Sequence, residues 1–333
     1  MTGTSSGDIR RGGPIGIQQH STDMWKTALL LLVTIIVLPV VAFAIDEPLD
    51  PLQKSVLVTL VSVYLIAALL CFFISTASNN YSQVDKLWSI MPPVYTWIVA
   101  GQSGWEPRLV LMAVVVSVWG IRLTYNFSRR GGYSWRFWTG EEDYRWPILR
   151  QRPELSARWR WSFFNLFFIS LYQMGLILMM TLPALKSIGG GPLGWIDYLL
   201  AGLVVMLVVV ETIADQQQWN FQKEKHRLLK SDGPLPPPYN KGYLDTGLWG
   251  MVRHPNYSAE QAVWIVFYFF SVSATGLWLN WSVTGAILLV LLFLGSSNFS
   301  ESISAGKYPD YAEYRRKVPR FIPFARSGRT KDR

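Results

Sequence analysis

The most constraining feature of this sequence is its series of long apolar runs without a charged residue. Thr27–Ile45 is 19 residues long and Ser55–Thr76 is 22 residues long, and neither contains a charged residue. As an α-helix, a run of about 20 apolar residues matches the hydrocarbon thickness of a bilayer, and the helix satisfies its backbone polar groups internally. Half of the 333 residues are hydrophobic. We therefore expect an all-α polytopic membrane protein.

Eight runs are predicted to cross the membrane. The first is too long for the core of a signal peptide and has no Ala-x-Ala-like cleavage site, so we expect it to be retained. The third should kink or break at Pro92-Pro93, because proline disrupts a helix interior. The predicted spans are Thr27–Ile45, Ser55–Thr76, a run that ends at Ala100 after the polar entry Asn79–Trp88, Arg108–Tyr125, Ser162–Leu182, Trp195–Ala214, Ala259–Ala274 and Leu277–Ser296.

The distribution of lysine and arginine predicts the orientation of these spans. With both termini in the cytoplasm, the cytoplasmic segments hold 27 of the 31 basic residues, whereas the opposite side holds only Lys54, Arg108 and Lys186. Cytoplasmic loops of membrane proteins carry such an excess. We therefore expect about eight spans with cytoplasmic amino and carboxyl termini. The same rule accounts for the net charge of +9, so the charge does not indicate a nucleic-acid partner.

Other composition features narrow the class further. Residues 1–24 are rich in Gly, Ser and Thr and are expected to form a disordered tail, and residues 324–333 form a basic tail. The lone cysteine, Cys71, excludes a disulfide framework. Only three histidines are present, none paired at helical spacing, so we expect no metal site.

A polar segment before the seventh span contains the densest set of candidate binding residues. Within Gly247–Glu260 these are Arg253, His254, Asn256, Tyr257 and Glu260. Such polar density at a membrane boundary is costly unless a ligand or partner groups satisfy it. The alternative is an ordinary loop whose Arg and His lie among lipid headgroups.

A second set lies at the end of the sixth span, which is expected to continue as a polar helix to about Leu229. Its members are Glu211, Asp215, Gln218 and Gln222. Their spacing of 4, 3 and 4 places them on one narrow face of a helix. Acidic groups at this depth often mark the path of a ligand or ion. Hydrogen bonding between helices at the end of a bundle is the alternative.

Smaller groups lie on the same predicted side. Arg122 recurs at helical spacing with Trp119, Asn126 and Arg129 on the fourth span, with Tyr125 beside them. An arginine here can equally extend to the headgroups. Asp85 stands at the head of the third span, where a carboxylate also suits the helix dipole.

Two segments suit the membrane interface. Ser128–Trp161 mixes many aromatic residues with eight arginines. After the eighth span, Tyr308, Tyr311 and Tyr314 are three residues apart and basic residues follow, a pattern also typical of an amphipathic helix at the membrane surface.

Together these motifs resemble the steroid 5-alpha-reductase and sterol-reductase superfamily of membrane enzymes. The carboxy-terminal motifs are Gly247-Leu-Trp, Arg253-His-Pro-Asn-Tyr with Glu260, Glu301, Lys307-Tyr-Pro, Tyr311, Tyr314, Val318-Pro and Ile322-Pro. The motifs that resemble the bacterial branch, the DUF1295 proteins, are Val84-Asp85 with Trp88, Trp119-Gly-Ile-Arg-Leu-Thr-Tyr-Asn126 and Glu211-Thr-Ile-Ala-Asp215-Gln. The resemblance covers about Asn79–Pro323. It implies two amino-terminal membrane helices in residues 25–78 and a steroid-reductase-like catalytic domain in residues 79–323.

The resemblance also implies an NADPH site and a lipid or steroid-like substrate that enters from the bilayer. By likeness of position, the residues that hold or frame the cofactor are Asp215, Asn256, Tyr257, Glu260 and Tyr308. At the positions that resemble Glu211 and Glu301, the 5-alpha-reductases have an Asn and a Tyr, respectively. Sterol reductases also have a Glu at the second of these positions. Asp85 falls near the family's catalytic Glu, and Trp119 takes the place of its substrate-polarising Tyr. These departures bear on the steroid substrate more than on the reductase chemistry.

We therefore expect reduction of a carbon–carbon double bond in a lipid enone. A carboxyl group in a dry site can stay protonated and donate to the enone oxygen; Asp85, hydrogen-bonded to Tyr125, is the candidate. Cations for the cofactor phosphates are expected from Arg122, Arg253 and the basic residues that follow Gln222. The expected cofactor-binding residues are Arg122, Glu211, Asp215, Gln218, Gln222, Arg253, His254, Asn256, Tyr257, Glu260, Glu301 and Tyr308.

Two other functions remain open. An S-adenosylmethionine-dependent membrane methyltransferase of the isoprenylcysteine carboxyl type has a similar Arg-His-Pro-x-Tyr motif, but with a Glu-Glu pair where this chain has Glu301-Ser302. A non-catalytic lipid-binding membrane protein is the third class. For location, we expect a bacterial inner membrane in preference to the endoplasmic reticulum.

Overall fold

A computed structural model describes residues 21–231 and 233–323, with side chains from residue 33 onward. All regular secondary structure in these ranges is helical. The helices are α1 Ser21–Ile45, α2 Pro51–Ser78, α3 Gln83–Trp88, α4 Met91–Gln102, α5 Pro107–Ser128, α6 Arg145–Arg150, α7 Arg158–Phe164, a π-helical stretch Asn165–Tyr172, α8 Gln173–Lys186, α9 Trp195–Leu228, α10 Leu248–Met251, α11 Pro255–Thr275, α12 Thr284–Lys307 and α13 Tyr311–Lys317, with single 3-10 turns at Tyr239–Lys241 and Trp281–Val283.

Each of the eight predicted spans overlaps a helix, in the predicted order, although the helix of the eighth span begins only at Thr284. Five helical segments are long and apolar enough to cross a membrane within the described part of the chain. They are Pro51–Ser78, Pro107–Ser128, Arg158–Lys186, Trp195–Leu228 and Trp281–Lys307. The all-helical membrane architecture is therefore confirmed, whereas eight crossings and cytoplasmic termini stay predictions.

Two finer predictions about helix limits are confirmed, and one is wrong. The third span is broken, because α3 ends at Trp88 and Pro92 and Pro93 lie in the first turn of a new helix, α4, where proline needs no amide partner. Helix α9 continues as a polar helix to Leu228. The predicted disordered tail is too long, because α1 already begins at Ser21. The rest of that tail, and residues 324–333, lie outside the described residues.

One end of the bundle is closed by contacts among alternate connecting segments. The ammonium of Lys186 lies 3.1 Å from Asp46, whose carboxylate also accepts the backbone N–H of Trp281 at 2.8 Å. Arg108 donates two hydrogen bonds to Asp197, of 2.9 and 3.0 Å. Segments that follow the first, third, fifth and seventh helical runs therefore share one end, as an alternating path through a bundle requires.

The opposite end is built by α5, α9 and α11. Helix α11 packs along α9, and α5 packs between α4 and α9. Gly120 allows α5 to approach α4 closely, since a Cβ atom there would lie 2.6 Å from the carbonyl oxygen of Ser89. The polar ends of α5, α9 and α11 consequently meet within one small region.

Candidate functional site

Asp215 lies at the centre of a polar cluster where α5, α9 and α11 meet. Its Oδ2 accepts a hydrogen bond of 2.7 Å from Asn126 Nδ2 and pairs closely with Nη2 of Arg122. Its Oδ1 accepts a hydrogen bond of 3.2 Å from Asn256 Nδ2. The structure thus brings three separate sequence motifs to one buried carboxylate.

Glu211 lies one helical turn before Asp215 and faces the same arginine. Arg122 Nη1 is 2.6 Å from Glu211 Oε1, and both side chains are buried. Arg122 is therefore held between two carboxylates instead of extending to lipid headgroups. Because it is paired with both acids, its charge is committed within the protein and offers little to a phosphate.

Glu260 completes the deep side of the cluster. Its two oxygens accept indole hydrogen bonds, from Trp119 Nε1 at 2.7 Å and from Trp264 Nε1 at 3.0 Å. The rings of Trp119 and Trp264 meet edge to face, with centroids 5.0 Å apart. Glu260 is therefore fixed by aromatic groups, with its carboxyl close to that of Glu211.

Unpartnered polar atoms identify where a ligand fits this cluster. Gln218 Oε1 is buried without a hydrogen-bond partner, and so is Glu211 Oε2 apart from the nearby carboxyl of Glu260. Gln218 and Glu211 lie two turns apart on one face of α9, with Asp215 between them. Buried polar atoms of native proteins nearly always have partners, so the unpartnered Gln218 Oε1, on the same face as the Glu211–Glu260 carboxyl pair, indicates a place for a ligand with N–H or O–H donors.

Two arginines stand at the solvent-facing rim of the cluster. The side chain of Arg130 is 47% exposed, and its Nη2 lies 3.9 Å from Asp215 Oδ1. Arg129 donates to Asn126 Oδ1 at 2.9 Å and to Gln216 Oε1 at 2.6 Å. Its guanidinium also lies 5.0 Å from the centroid of the Trp219 ring. Neither arginine was among the predicted cofactor-binding residues, although Arg129 shares the helical spacing of Arg122. They are the cations best placed to meet a negatively charged ligand.

Arg253 and His254 form a separate cluster around Glu301. Glu301 Oε1 is 2.8 Å from Arg253 Nε and 2.9 Å from His254 Nε2, and Oε2 is 3.1 Å from Arg315 Nε. Arg253 Nη1 also donates to the carbonyls of Arg315 and Val318, at 2.9 and 2.5 Å. The Nε and Nη1 donors of Arg253 fasten the carboxyl-terminal segment and its guanidinium is buried against Glu301, so it is poorly placed to bind cofactor phosphates.

The tyrosines of the tail pack against the protein rather than lying along a membrane surface. Tyr311 and Tyr314 on α13 are buried, and their ring centroids lie 5.1 and 5.3 Å from that of Tyr243. Burial raises the pKa of Tyr311 to about 12. Tyr308 is half-buried, and its hydroxyl lies 3.4 Å from Lys225 Nζ. The three residues thus fasten the tail to the linker that follows α9.

Asp85 lies in a different cluster, built by α3, Asp143 and the first turn of α6. Its Oδ2 accepts a hydrogen bond of 3.1 Å from Trp146 Nε1, and its Oδ1 lies 3.9 Å from Arg145. Burial, and then the neighbouring Asp143 carboxylate, raise the pKa of Asp85. Burial also opposes ionisation of Asp143, yet its ion pair with Arg145 outweighs this and lowers its pKa.

The expected hydrogen bond between Asp85 and Tyr125 is not formed. Asp85 is bound by Trp146, whereas Tyr125 is 65% exposed on α5 and carries Arg129 over its ring at 5.7 Å. The sequence places Tyr125 near the polar end of its span, but it does not reveal in which direction the side chain points. Tyr125 faces away from the carboxyl it was expected to assist.

Electrostatic neighbours connect the Asp85 cluster to the Asp215 cluster. Arg130 interacts with Asp143 as well as with Asp215. Arg145 interacts with Tyr257, whose ring stacks on that of His254 with centroids 5.3 Å apart. A ligand at the Asp215 cluster therefore borders the loop that binds Asp85. Gln222, the last member of the predicted stripe, lies half-buried one turn beyond Gln218.

Some of these residues were predictable and others were not. Trp264 follows Glu260 by four residues, so helical spacing alone places its indole beside that carboxylate. Asp143 precedes the short helix α6, and Arg145 and Trp146 begin it. No periodicity in the sequence connects these three residues with Asp85.

Comparison with known proteins gives the chain's relatives. A family model described as "Protein of unknown function (DUF1295)" matches residues 71–318. The chain is 34% identical over 264 residues to an uncharacterized protein of Schizosaccharomyces pombe, and the match covers 75% of this chain and 74% of that protein. No solved structure matches. Because this relative is eukaryotic, it gives no support to the expected preference for a bacterial inner membrane.

Proposed function

The chain belongs to the DUF1295 family, and from that premise we propose that it is an NADPH-dependent reductase of a carbon–carbon double bond in a lipid enone. The observation that carries the proposal is the face of α9 on which Glu211, Asp215 and Gln218 meet Arg122 and Asn256. It combines a fixed charge network with acceptors that lack partners. That combination suits a ligand rich in hydroxyl and amide donors.

The described residues fit a nicotinamide dinucleotide in three respects. Gln218 Oε1 is a buried acceptor for a ribose hydroxyl or carboxamide hydrogen. Trp119 and Trp264, whose buried rings meet edge to face, fix the carboxyl of Glu260 beside the cluster. Arg129 and Arg130 at the rim are the cations that bind the phosphates in this proposal, since Arg122 and Arg253 form ion pairs inside the protein.

The chemistry that NADPH supplies when bound is a hydride, and the residues supply position and a proton. Asp85 is the proposed proton donor, because burial and the charge of Asp143 favour its protonated form. Arg130 and Arg145 link its loop to the Asp215 cluster. The hydrogen bond from Trp146 orients the carboxyl.

One observation favours a methyltransferase as the second candidate. Glu211, Asp215 and Glu260 bring three carboxyl groups around a single buried guanidinium, that of Arg122. An excess of carboxylates suits a cationic ligand such as the sulfonium of S-adenosylmethionine. The rim arginines favour the phosphates of NADPH instead, because arginine binds phosphate through paired N–H donors.

Titration of the purified full-length protein in lipid nanodiscs separates these functions. Binding is monitored by the quenching of tryptophan fluorescence. The expected result is saturable binding of NADPH and no binding of S-adenosylmethionine. Saturable binding of S-adenosylmethionine alone would establish the methyltransferase in its place. Binding of neither ligand would contradict both and leave a non-catalytic lipid-binding protein.

A further inference from the structure

An open groove lies beside α3, at the end of the bundle that holds the Asp215 and Asp85 clusters. It has a volume of about 750 Å³ and lies between the last turns of α2 and the loop 137–140. The volume is within the range of small-molecule sites. None of its lining residues is ionisable: Ile74 and Ala77 are apolar, and Ser78, Asn79, Asn80 and Thr139 are neutral and polar.

The loop that forms one wall of the groove is held in place by hydrogen bonds from α3 and the turn before it. Lys86 Nζ donates to the carbonyls of Phe137 and Thr139, at 2.8 and 2.7 Å, and Gln83 Nε2 donates to that of Trp138 at 3.0 Å. These bonds use the ammonium of Lys86 behind the wall, so its charge does not face the groove. The groove is therefore a fixed and uncharged feature, held by the same six-residue helix that carries Asp85.

The groove is continuous with the outer surface of α2. Leu70 and Phe73, which precede its lining residues on that helix, are 54% and 62% exposed, and α2 is among the helices apolar enough to cross a membrane. On the other wall, Phe137 and Trp138 are 61% and 42% exposed. Exposed apolar surface of this kind faces acyl chains in a membrane protein, so a lipid can enter the groove sideways from the bilayer.

We propose that this groove is the entry site of the lipid substrate and that it selects amphiphiles with a neutral head bearing a hydroxyl, carbonyl or amide group. Asn79 carries the selectivity, because its side-chain amide offers both a donor and an acceptor and has no hydrogen-bond partner among the described residues. An anionic head finds no cation in the lining, and a cationic head finds no carboxylate. The role as substrate entry rests on the proposed reductase function, whereas the binding itself does not.

Photolabelling of the full-length protein in nanodiscs tests the proposal. Two diazirine-bearing probes are compared without NADPH: a sterol with a free hydroxyl head and a phosphatidic acid. Mass spectrometry of the labelled peptides is expected to place the sterol on residues 74–80 and 137–140. Ala77→Trp, which fills the groove, should reduce this labelling by at least about tenfold, the factor for a loss of ~1.4 kcal/mol of binding.

Two further variants make the test specific. Leu69→Trp adds the same indole to an exposed position of α2 outside the lining, and labelling of the groove should be unchanged. Asn79→Gly removes the amide yet suits the left-handed backbone at this position (φ 51°), and it should also reduce labelling by the sterol. Equal labelling by both probes, or insensitivity to Ala77→Trp, would overturn the proposal.

The failure of this proposal can be told apart from failure of the reductase function. Saturable NADPH binding without specific labelling of the groove rejects the entry site alone. Specific labelling of the groove in a protein that does not bind NADPH supports lipid selection and rejects the reductase.

Discussion

Trp119 donates its indole N–H to Glu260 Oε2 over 2.7 Å, and this bond joins α5 to α11 inside the bundle. In the reductases that the sequence resembles, a tyrosine is expected in the place of Trp119. An indole N–H is a donor only, and here it is spent on a carboxylate. Trp119 therefore positions Glu260 and has no proton to give to a substrate oxygen, so a reductase built on this site needs its proton from another group.

The first prediction concerns Gln218, a half-buried residue whose buried side-chain carbonyl oxygen has no partner. Gln218→Leu keeps a similar volume and removes an unsatisfied acceptor, so the thermal midpoint of the protein without ligand should be unchanged or higher. If Gln218 binds the cofactor, NADPH affinity should fall by about 5- to 150-fold, which corresponds to ~1–3 kcal/mol.

The control for this variant is Gln216→Leu, on an exposed position of the same helix. It removes a hydrogen bond with Arg129 but no buried acceptor. We expect a smaller loss of affinity from it than from Gln218→Leu. An unchanged dissociation constant in folded Gln218→Leu would remove Gln218 from the site.

The second prediction concerns Glu301, which is surrounded by Arg253, His254 and Arg315. Glu301→Gln leaves buried Arg253 without its counter-charge, a change that typically costs about 3–5 kcal/mol. The carboxyl-terminal segment should detach, so limited trypsin digestion should cleave after Arg315 faster than in the wild type. The thermal midpoint should fall as well.

The matched control is Glu313→Gln in the same part of the chain. Glu313 pairs with Lys317 at 2.6 Å, and both side chains are exposed. Exposed pairs contribute about 0–1 kcal/mol, so neither proteolysis nor the thermal midpoint should change appreciably. Equal behaviour of the two variants would contradict the assignment of Glu301 as the anchor of the tail.

The contrast between these two clusters indicates what sequence reasoning can reach. The stripe of Glu211, Asp215 and Gln218 was predictable because residues on one helix share a face by spacing alone. The use of Arg253 was not, since its carbonyl partners belong to a tail that returns to α11 from more than 60 residues away. Spacing identifies which residues are together on a helix, but not which of them are already satisfied by a distant segment.

The third prediction concerns topology. Asp46 and Trp281 meet at one end of the bundle, so the loop around Glu47 should face the side opposite to the end of α12. In a Cys71→Ala background, a membrane-impermeant maleimide should label Gly306→Cys from the cytoplasmic side and Glu47→Cys from the other side. Both positions are exposed, and a side chain at Gly306 meets no neighbouring atom within 4 Å. Labelling of both from the same side would contradict an alternating eight-span path.

The fourth prediction concerns the stability of Asp85→Asn. The folded-state pKa of Asp85 is raised, so the wild type loses stability as pH rises through the pKa of the unfolded aspartate, near 3.9, toward the higher folded value. Asparagine keeps an oxygen for the hydrogen bond from Trp146 and carries no charge beside Asp143. The variant should therefore melt at a temperature equal to or above that of the wild type at pH 7. This advantage should shrink as the pH is lowered toward 4.

The same variant decides whether Asp85 is the proton donor, because its stability and its turnover are predicted to change in opposite directions. Asparagine cannot give up a proton, so turnover of a lipid enone should fall by at least ~100-fold, the lower limit of what general acid catalysis contributes. NADPH affinity should be unchanged, since Asp85 lies outside the cluster around Asp215. A folded, NADPH-binding Asp85→Asn protein with full turnover would show that Asp85 only begins a helix. Tyr257, beside Arg145, would then be the next hydroxyl to test, by Tyr257→Phe under the same assay.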